Sequence, residues 1–175
     1  MPGAGKSTAA QALVEKGWAR VVMGDVIREE TRRRGLEADS KNTGEVMKQL
    51  RKEHGEAAIA ELCLKAVERT GSDRVVVDGI RSVSEVEAFR KRAQVVLVAV
   101  HASPGRRFKL LRERARSDDP LSNEMFLSRD ERELGVGIGS AIALADEVVS
   151  NEWATPEDLA TAMREVIGRW LEVDP

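Results

Sequence analysis

The residues with the most specific chemical pattern stand at the start of the chain. Residues 3–8 read Gly-Ala-Gly-Lys-Ser-Thr, which matches the second half of the phosphate-loop pattern G-x-x-x-x-G-K-[ST]. The backbone N–H groups of such a loop surround phosphate oxygens, and the helix that follows directs its positive end at the same anion. The predicted phosphate-binding residues are Gly3, Ala4, Gly5, Lys6, Ser7 and Thr8.

Two side chains of this loop have predicted chemical roles. Lys6 is expected to reach the β- and γ-phosphates of a nucleotide and to act in catalysis, and Ser7 is expected to offer its hydroxyl to Mg²⁺. The alternative is a glycine-rich segment that caps an ordinary helix. Small and apolar residues recur at helical spacing over residues 9–14, which favours the loop followed by a helix.

Two acid–arginine pairs follow apolar runs. Asp25 and Arg28 come after the run at 20–23, and Asp78 and Arg81 come after the run at 75–77. Ligands of open α/β sheets bind at the carboxyl ends of the strands, so we expect these four side chains to converge near Lys6. The planar fork of arginine suits phosphate oxygens. The alternative is that each Asp caps a helix and each Arg is solvated.

A third cluster of cations flanks an acidic turn that contains Pro120. Arginines on both sides of this turn are typical of a small lid that brings cations to a transferring phosphoryl group, here residues 112–132. Arg106 and Arg107, earlier on the same predicted helix, are instead interpreted as solvated surface. The predicted lid arginines are Arg112, Arg114, Arg116, Arg129 and Arg132.

Short apolar runs alternate with amphipathic segments along the whole chain. The runs at 20–23, 75–77, 95–100 and 147–150 are predicted strands, and the third is the strongest. This alternation predicts a parallel sheet covered by helices. Because no linker or repeat interrupts the pattern, we expect one domain over residues 1–175.

The composition narrows the class of partner. The chain has 28 Lys and Arg against 30 Asp and Glu, a formal net charge of −2, so the general basic excess of nucleic-acid-binding proteins is absent. No apolar run approaches 18 residues, and the first residues lack a signal-peptide pattern. We expect a cytoplasmic protein that binds small nucleotides, not nucleic acid or membranes. Cys63 is interpreted as a small core residue.

The order of these motifs resembles the P-loop nucleoside monophosphate kinase group. Residues 24–28 are similar to its G-D-x-x-R motif, residues 78–81 to its D-G-[FI]-x-R motif, and residues 116–119 to the R-x-D-D of its lid. The similarity covers essentially the whole chain. It is closest to an archaeal family related to adenylate and dephospho-CoA kinases, to which residues 101–104 and 142–146 contribute.

The resemblance implies a three-layer α/β P-loop fold that uses ATP and Mg²⁺. It implies that Arg28 and Arg81 hold the phosphate of an acceptor, and that Asp78 orients Mg²⁺ through water. Arg116 and Arg129 would be the catalytic lid arginines. The acceptor would lie among helices at about residues 35–70.

One feature of the group is missing at the front of the sequence. In these kinases an apolar central strand leads into the loop, and the first Gly of the pattern would stand before Met1. Omitting about five buried apolar side chains would cost roughly 10 kcal/mol. We therefore expect about seven or eight further residues, ending in Gly, to precede Met1 in the natural protein.

The sequence does not determine which chemical group accepts the phosphoryl group. A phosphate acceptor is already ionised and needs only Arg28 and Arg81, whereas a hydroxyl acceptor, as in dephospho-CoA, would gain from Asp25 as a general base. A P-loop ATPase or switch that acts on a protein partner would use the same loop, Lys6, Ser7 and Asp78. A P-loop fold that has lost activity is a further alternative.

Overall fold

The computed structural model describes residues 1–114, 120 and 122–172. Helices and strands alternate within these residues, as the sequence predicts. The strands are β1 (Ala19–Val22), β2 (Val75–Asp78), β3 (Val98–His101) and β4 (Glu147–Ser150). The helices are α1 (Lys6–Val14), α2 (Met23–Arg33), α3 (Ser40–His54), α4 (Ala58–Thr70), α5 (Val83–Arg90), α6 (Pro104–Arg114), α7 (Asn123–Val136), α8 (Ile138–Ala143) and α9 (Pro156–Glu172).

The strands form two parallel pairs. β1 pairs with β2 so that Val22 lies opposite Asp78, and β3 pairs with β4 so that Val100 lies opposite Val149. Among the described residues, ladder hydrogen bonds join strands only within these two pairs. The parallel arrangement is therefore as predicted, although the described strands form two sheets of two strands each.

Helices cover both faces of the strands. Successive side chains of a strand point to opposite faces, and on β2 Val75 and Val77 pack into a core with α2, α3, α4 and α5. Val76 packs into a second core that α1 and α9 form with β3 and β4. The three-layer α/β fold is thereby confirmed.

Element boundaries differ from the sequence pattern at β3 and at the junction of β1, which covers Ala19–Val22 instead of residues 20–23, with α2. β3 begins at Val98 and not at Val95, because the backbone N–H of Leu97 donates to the carboxylate of Asp146 at 2.7 Å instead of joining the ladder. α2 begins at Met23, so Asp25 lies in its first turn and not in a preceding loop. A carboxylate in the first turn is favoured by the positive end of the helix dipole.

The remaining large-scale expectations concern membranes and the single cysteine. In the described part of the chain no helix combines the length and the apolar character needed to span a bilayer. The Cys63 side chain is completely buried on α4, where it packs in the core against the β1–β2 pair. Cys63 is thus a core residue, as predicted.

Candidate active site

The shape of the phosphate loop depends on two glycines. Gly3 and Gly5 have φ angles of 77° and 97°, in the left-handed region that glycine adopts without strain. A Cβ added at Gly3 would lie 2.8 Å from the backbone carbonyl oxygen of Arg107, and one added at Gly5 would lie 2.5 Å from Asn151 Nδ2. Both positions therefore require glycine for backbone conformation and for space.

The loop lies between the two pairs of strands. The hydroxyl of Ser7, in the first turn of α1, donates to Asp78 Oδ2 at 3.1 Å, and Asp78 is the last residue of β2. On the other side, Asn151 Nδ2 donates to the carbonyl oxygen of Ala4 at 3.0 Å, directly after β4. The loop is thus bonded to the carboxyl ends of strands from both pairs, where ligands of α/β sheets bind.

Lys6 is surrounded by charged side chains. Its Nζ donates to the carbonyl oxygen of Met1 at 2.9 Å. Burial lowers the pKa of Lys6, while the charges of Asp78 and Glu133 act to raise it and those of Arg81 and Arg129 act to lower it. The structure thereby brings side chains from β2, from the turn after β2 and from α7 within electrostatic reach of Lys6.

Asp78 has a partner that the sequence analysis missed. Arg20 Nη2 lies 2.6 Å from Asp78 Oδ2, and the Asp78 side chain is only 7% exposed. Arg20 Nε is buried without a hydrogen-bond partner among the described residues. A charged residue inside a predicted buried strand needs a partner, and this was the signal that could have identified Arg20.

The Arg81 side chain is directed toward α7. Arg81 Nε lies 3.3 Å from Glu133 Oε2, and the Arg81 backbone N–H donates to Glu85 Oε2 at 2.8 Å. Glu85 is almost completely buried and accepts a second hydrogen bond from Arg51 Nη2 of α3 at 3.4 Å. The backbone and the side chain of Arg81 therefore both have partners, on α5 and on α7.

Asp25 and Arg28 lie near this cluster but contact each other. They form an ion pair within α2, and their side chains are 62% and 46% exposed. A Cβ added at Gly79 would lie 3.5 Å from Met23 Cβ, so the start of α2 packs against the end of β2. In the described residues no hydrogen bond or ion pair joins this Asp–Arg pair to Lys6. Asp78 and Arg81 therefore lie within electrostatic reach of Lys6, and the α2 pair is linked to them only through the packing of its helix against β2.

The predicted lid arginines do not share one environment. Arg112 lies 6.0 Å from the ring of an aromatic residue one turn earlier on α6, and Arg114 lies in the last turn of that helix. Arg132 is exposed and donates to a carbonyl of α7 at 3.4 Å. Arg129 acts on Lys6 as described above. Arg116 lies outside the described residues, as do Asp118 and Asp119.

The prediction that Arg107 is solvated was wrong. Its side chain is 4% exposed, because Asp130 of α7 forms an ion pair with it and the Phe126 ring lies 4.9 Å from its guanidinium carbon. Arg106 is half-buried and donates to the carbonyl oxygen of Ala154 at 3.3 Å. These partners are distant in sequence, so the charge run on α6 did not reveal them.

A groove of about 410 Å³ begins beside the loop and runs between α1 and α9. Its volume is in the range of small-molecule sites. Residues from the first turns of both helices line one end of it, and they are Ser7, Thr8, Pro156 and Glu157. A phosphorylated ligand on the loop would have room for its organic part beside these turns.

The oxygens of Ser7 and Asp78 are chemically suited to Mg²⁺, which prefers hard oxygen ligands. They lie 3.1 Å apart at the start of α1. The described residues contain no group of three or more His, Cys, Asp or Glu side chains that could hold a metal ion. Mg²⁺ commonly combines one or two protein oxygens with substrate phosphates and water, and the Ser7–Asp78 set fits that mode of binding.

Comparisons with known proteins identify relatives of the whole chain. Residues 1–126 match the family described as an AAA domain. UPF0200 protein MJ1399 of Methanocaldococcus jannaschii is 51% identical over 154 residues, which cover 87% of this chain and 78% of that protein. A UPF0200 protein of Methanosarcina mazei is 42% identical over 176 residues, covering 99% and 94%. The crystal structure of TT1252 from Thermus thermophilus aligns with a TM-score of 0.65 at 19% identity, covering 99% of this chain and 94% of that one, and shows likeness of fold alone.

Proposed function

Because this chain belongs to the UPF0200 protein family and its first 126 residues match an AAA domain, we propose that it is a P-loop phosphotransferase. The reaction moves the γ-phosphoryl group of ATP, bound with Mg²⁺, to the phosphate of a small nucleotide such as a nucleoside monophosphate. The position of Asp78 and Arg81 within electrostatic reach of Lys6, with Asp78 in contact with the Ser7 hydroxyl, supports this most strongly. A nucleotide-dependent switch would have no need of a second phosphate pocket beyond the loop.

The donor nucleotide would occupy the phosphate loop. Its phosphates would accept hydrogen bonds from the loop backbone at the start of α1, and Lys6 would neutralise charge on the γ-phosphate. Ser7 would ligate Mg²⁺ and Asp78 would hold one of its water ligands. Bound Mg²⁺ supplies charge neutralisation on the phosphate oxygens. The groove beside Ser7 and Thr8 would receive the nucleoside.

The acceptor phosphate would lie between Lys6 and Arg81, with Arg28 on its other side. An ionised oxygen of that phosphate forms a bond to the γ-phosphorus, while the bond from phosphorus to the β–γ bridging oxygen breaks and ADP leaves with that electron pair. The attacking oxygen carries no proton at neutral pH, so the step needs no general base. Catalysis then consists of positioning and charge neutralisation by Lys6, Arg129 and Arg116.

A hydroxyl acceptor is the second candidate, and Asp25 would be its general base. The exposure of Asp25 and its ion pair with Arg28 favour a role in orienting Arg28, which is why the phosphate acceptor stands first. An ATPase or switch that acts on a protein partner is the candidate from another class. It would use Lys6, Ser7 and Asp78 and leave Arg28 and Arg81 without a substrate.

The proposal is tested by transfer of labelled phosphate from [γ-³²P]ATP. AMP, CMP, dephospho-CoA and water are offered as acceptors with and without Mg²⁺. A labelled nucleoside diphosphate that forms only with Mg²⁺ supports the proposal. Labelled CoA would move the assignment to the hydroxyl kinase, and release of inorganic phosphate alone would move it to the ATPase. Lys6→Met should abolish all three products, because the γ-phosphate loses its cation.

Two arginines on α2 provide the matched comparison for the acceptor. Arg28→Met should raise the KM for the acceptor at least about tenfold, since a bidentate phosphate contact is lost, and should leave the KM for ATP near its original value. Arg32→Met removes the same charge from an exposed position one turn further along the helix. An equal effect of both substitutions on the acceptor KM would contradict the role of Arg28.

A further inference from the structure

We propose that the ion pair between the buried Arg107 and the partly buried Asp130 is a positioning device that fixes the phosphate loop and couples it to helix α7. The pair does not reach a substrate, because Arg107 is 4% and Asp130 14% exposed. In linking the pair to nucleotide binding, the inference rests on the proposed function of the loop. The two residues lie on α6 and α7, and the loop itself contains neither.

Arg107 bonds the loop and α7 with the same atom. Its Nη1 donates to the carbonyl oxygen of Pro2 at 3.2 Å and to Asp130 Oδ1 at 2.8 Å, while Nη2 donates to the second Asp130 oxygen. A Cβ added at Gly3 would lie only 2.8 Å from the Arg107 carbonyl oxygen. α6 therefore contacts two consecutive residues at the start of the loop. It contacts Pro2 by a hydrogen bond and Gly3 by close packing.

Packing alone does not account for a charged pair in this position. Replacing a buried ion pair by apolar side chains of similar volume is often neutral or stabilising, so burial of Arg107 and Asp130 is not a sign of stability. An apolar pair could fill the space against Phe126, but it could not donate to the Pro2 carbonyl. The donated hydrogen bond is the property that only the charged pair supplies.

The position of Asp130 also sets the position of two site residues on α7. Arg129 precedes it by one residue and Glu133 follows it by three, and residues three apart lie on one face of a helix. Glu133 lies 3.3 Å from Arg81, and both Arg129 and Glu133 act on Lys6. By holding Asp130, Arg107 links the backbone beside the loop to the helix that carries Arg129 and Glu133, both within electrostatic reach of Lys6.

The test replaces both partners together, so that no buried charge is left alone. Arg107→Met with Asp130→Leu should fold, whereas single charge removals at such a pair are strongly destabilising. A control on α2 is Arg34→Met with Glu30→Leu, because Glu30 is also buried and ion-paired to Arg34, and its second partner, Arg33, is exposed. Amide hydrogen exchange is measured in full-length wild type and both variants without nucleotide, and MgATP affinity by titration calorimetry.

We expect the Arg107–Asp130 variant to exchange faster at residues 3–9 and 122–136 while the rest of the chain is unchanged. Its Kd for MgATP should rise about tenfold, because one charge-assisted hydrogen bond that holds the loop is lost. The control should exchange faster only around α2 and bind MgATP as wild type does. Arg107→Lys keeps the positive charge on a single donor nitrogen and loses the planar fork, so its exchange and MgATP affinity should lie between those of wild type and the double variant.

Loop exchange and MgATP affinity equal to wild type in the folded double variant would overturn the inference. Faster exchange throughout the chain would also overturn it, since that is general destabilisation. If the double variant does not fold, the same criteria apply to Arg107→Lys. If wild type binds no MgATP, the loop exchange still decides for or against positioning, and it is the proposed function that fails.

Discussion

The guanidinium of Arg20 and the carboxylate of Asp78 meet at 2.6 Å across two neighbouring parallel strands. The same Asp78 oxygen accepts the hydroxyl hydrogen of Ser7 at 3.1 Å. One carboxylate thus connects β1, β2 and the start of α1. Because this carboxylate is buried, these partners replace the hydrogen bonds that it would make with water.

Arg20→Gln should therefore destabilise the protein by about 2–3 kcal/mol, below the full effect of breaking a buried pair because Arg20 is partly exposed. The free energy of unfolding is measured by urea denaturation monitored by tryptophan fluorescence. Arg32→Gln, an exposed charge on α2, should stay within about 0.5 kcal/mol of wild type. If Arg20→Gln lowered the free energy of unfolding by no more than Arg32→Gln does, the ion pair with Asp78 would not contribute to stability.

The lowered pKa of Lys6 predicts how nucleotide affinity depends on pH. The protonated ammonium binds phosphate, so affinity should begin to fall at a lower pH than the ordinary lysine value of 10.5. Glu133 acts to raise that pKa, so Glu133→Gln should move the decline to still lower pH. MgATP affinity is measured between pH 7 and 10. Glu131→Gln, exposed on the same helix, should leave the profile unchanged, and a shift of the Glu133→Gln profile to higher pH would contradict the assignment.

Two glycines with similar φ angles separate conformational strain from steric contact. Gly17→Ala, at φ 87° with nothing within 4 Å of the added Cβ, should cost about 1–2 kcal/mol of stability. Gly3→Ala, at φ 77° with Leu111 Cγ only 2.7 Å from the added Cβ, should cost more and also weaken MgATP binding. Urea denaturation and calorimetry measure the two effects. Equal stability losses with unchanged MgATP affinity would show that the space beside Gly3 is not restrictive.

Cys63 should be chemically inert in the native protein. Burial raises the pKa of its thiol to about 12, so the reactive thiolate is scarce at neutral pH. Ellman's reagent at pH 8 should react with it only when the chain unfolds, with the rate rising in parallel with urea unfolding. Reaction at the rate of a free thiol in buffer would mean that α4 opens locally.

The sequence predicted the elements better than it predicted the partners of single side chains. The apolar run at 147–150 matches the observed limits of β4. β3 was placed three residues too early, since the hydrogen bond from Leu97 to Asp146 comes from a residue 49 positions away. Local pattern therefore located the strands but not every strand end.

The same distinction between local pattern and long-range contact explains why the partners of Arg107 and Arg20 were not predicted. A charge run on a helix is on average solvated, and Arg107 was interpreted in that way, but a partner 23 residues later made it a buried residue. Arg20 was overlooked inside an apolar run because its partner is 58 residues away. Such pairings are decided by which strands and helices become neighbours, and a single sequence contains no direct record of that choice.

The attachment of the phosphate loop to both pairs of strands, through Ser7 and Asp78 on one side and Ala4 and Asn151 on the other, has a mechanical consequence. The two apolar cores share strand β2, because Val77 packs into one and Val76 into the other, and the loop is bonded to this strand through Asp78. A polyanion bound there stiffens the connection, so the two cores should melt as one cooperative unit. In differential scanning calorimetry, the unfolding transition should then be narrower when MgATP is present.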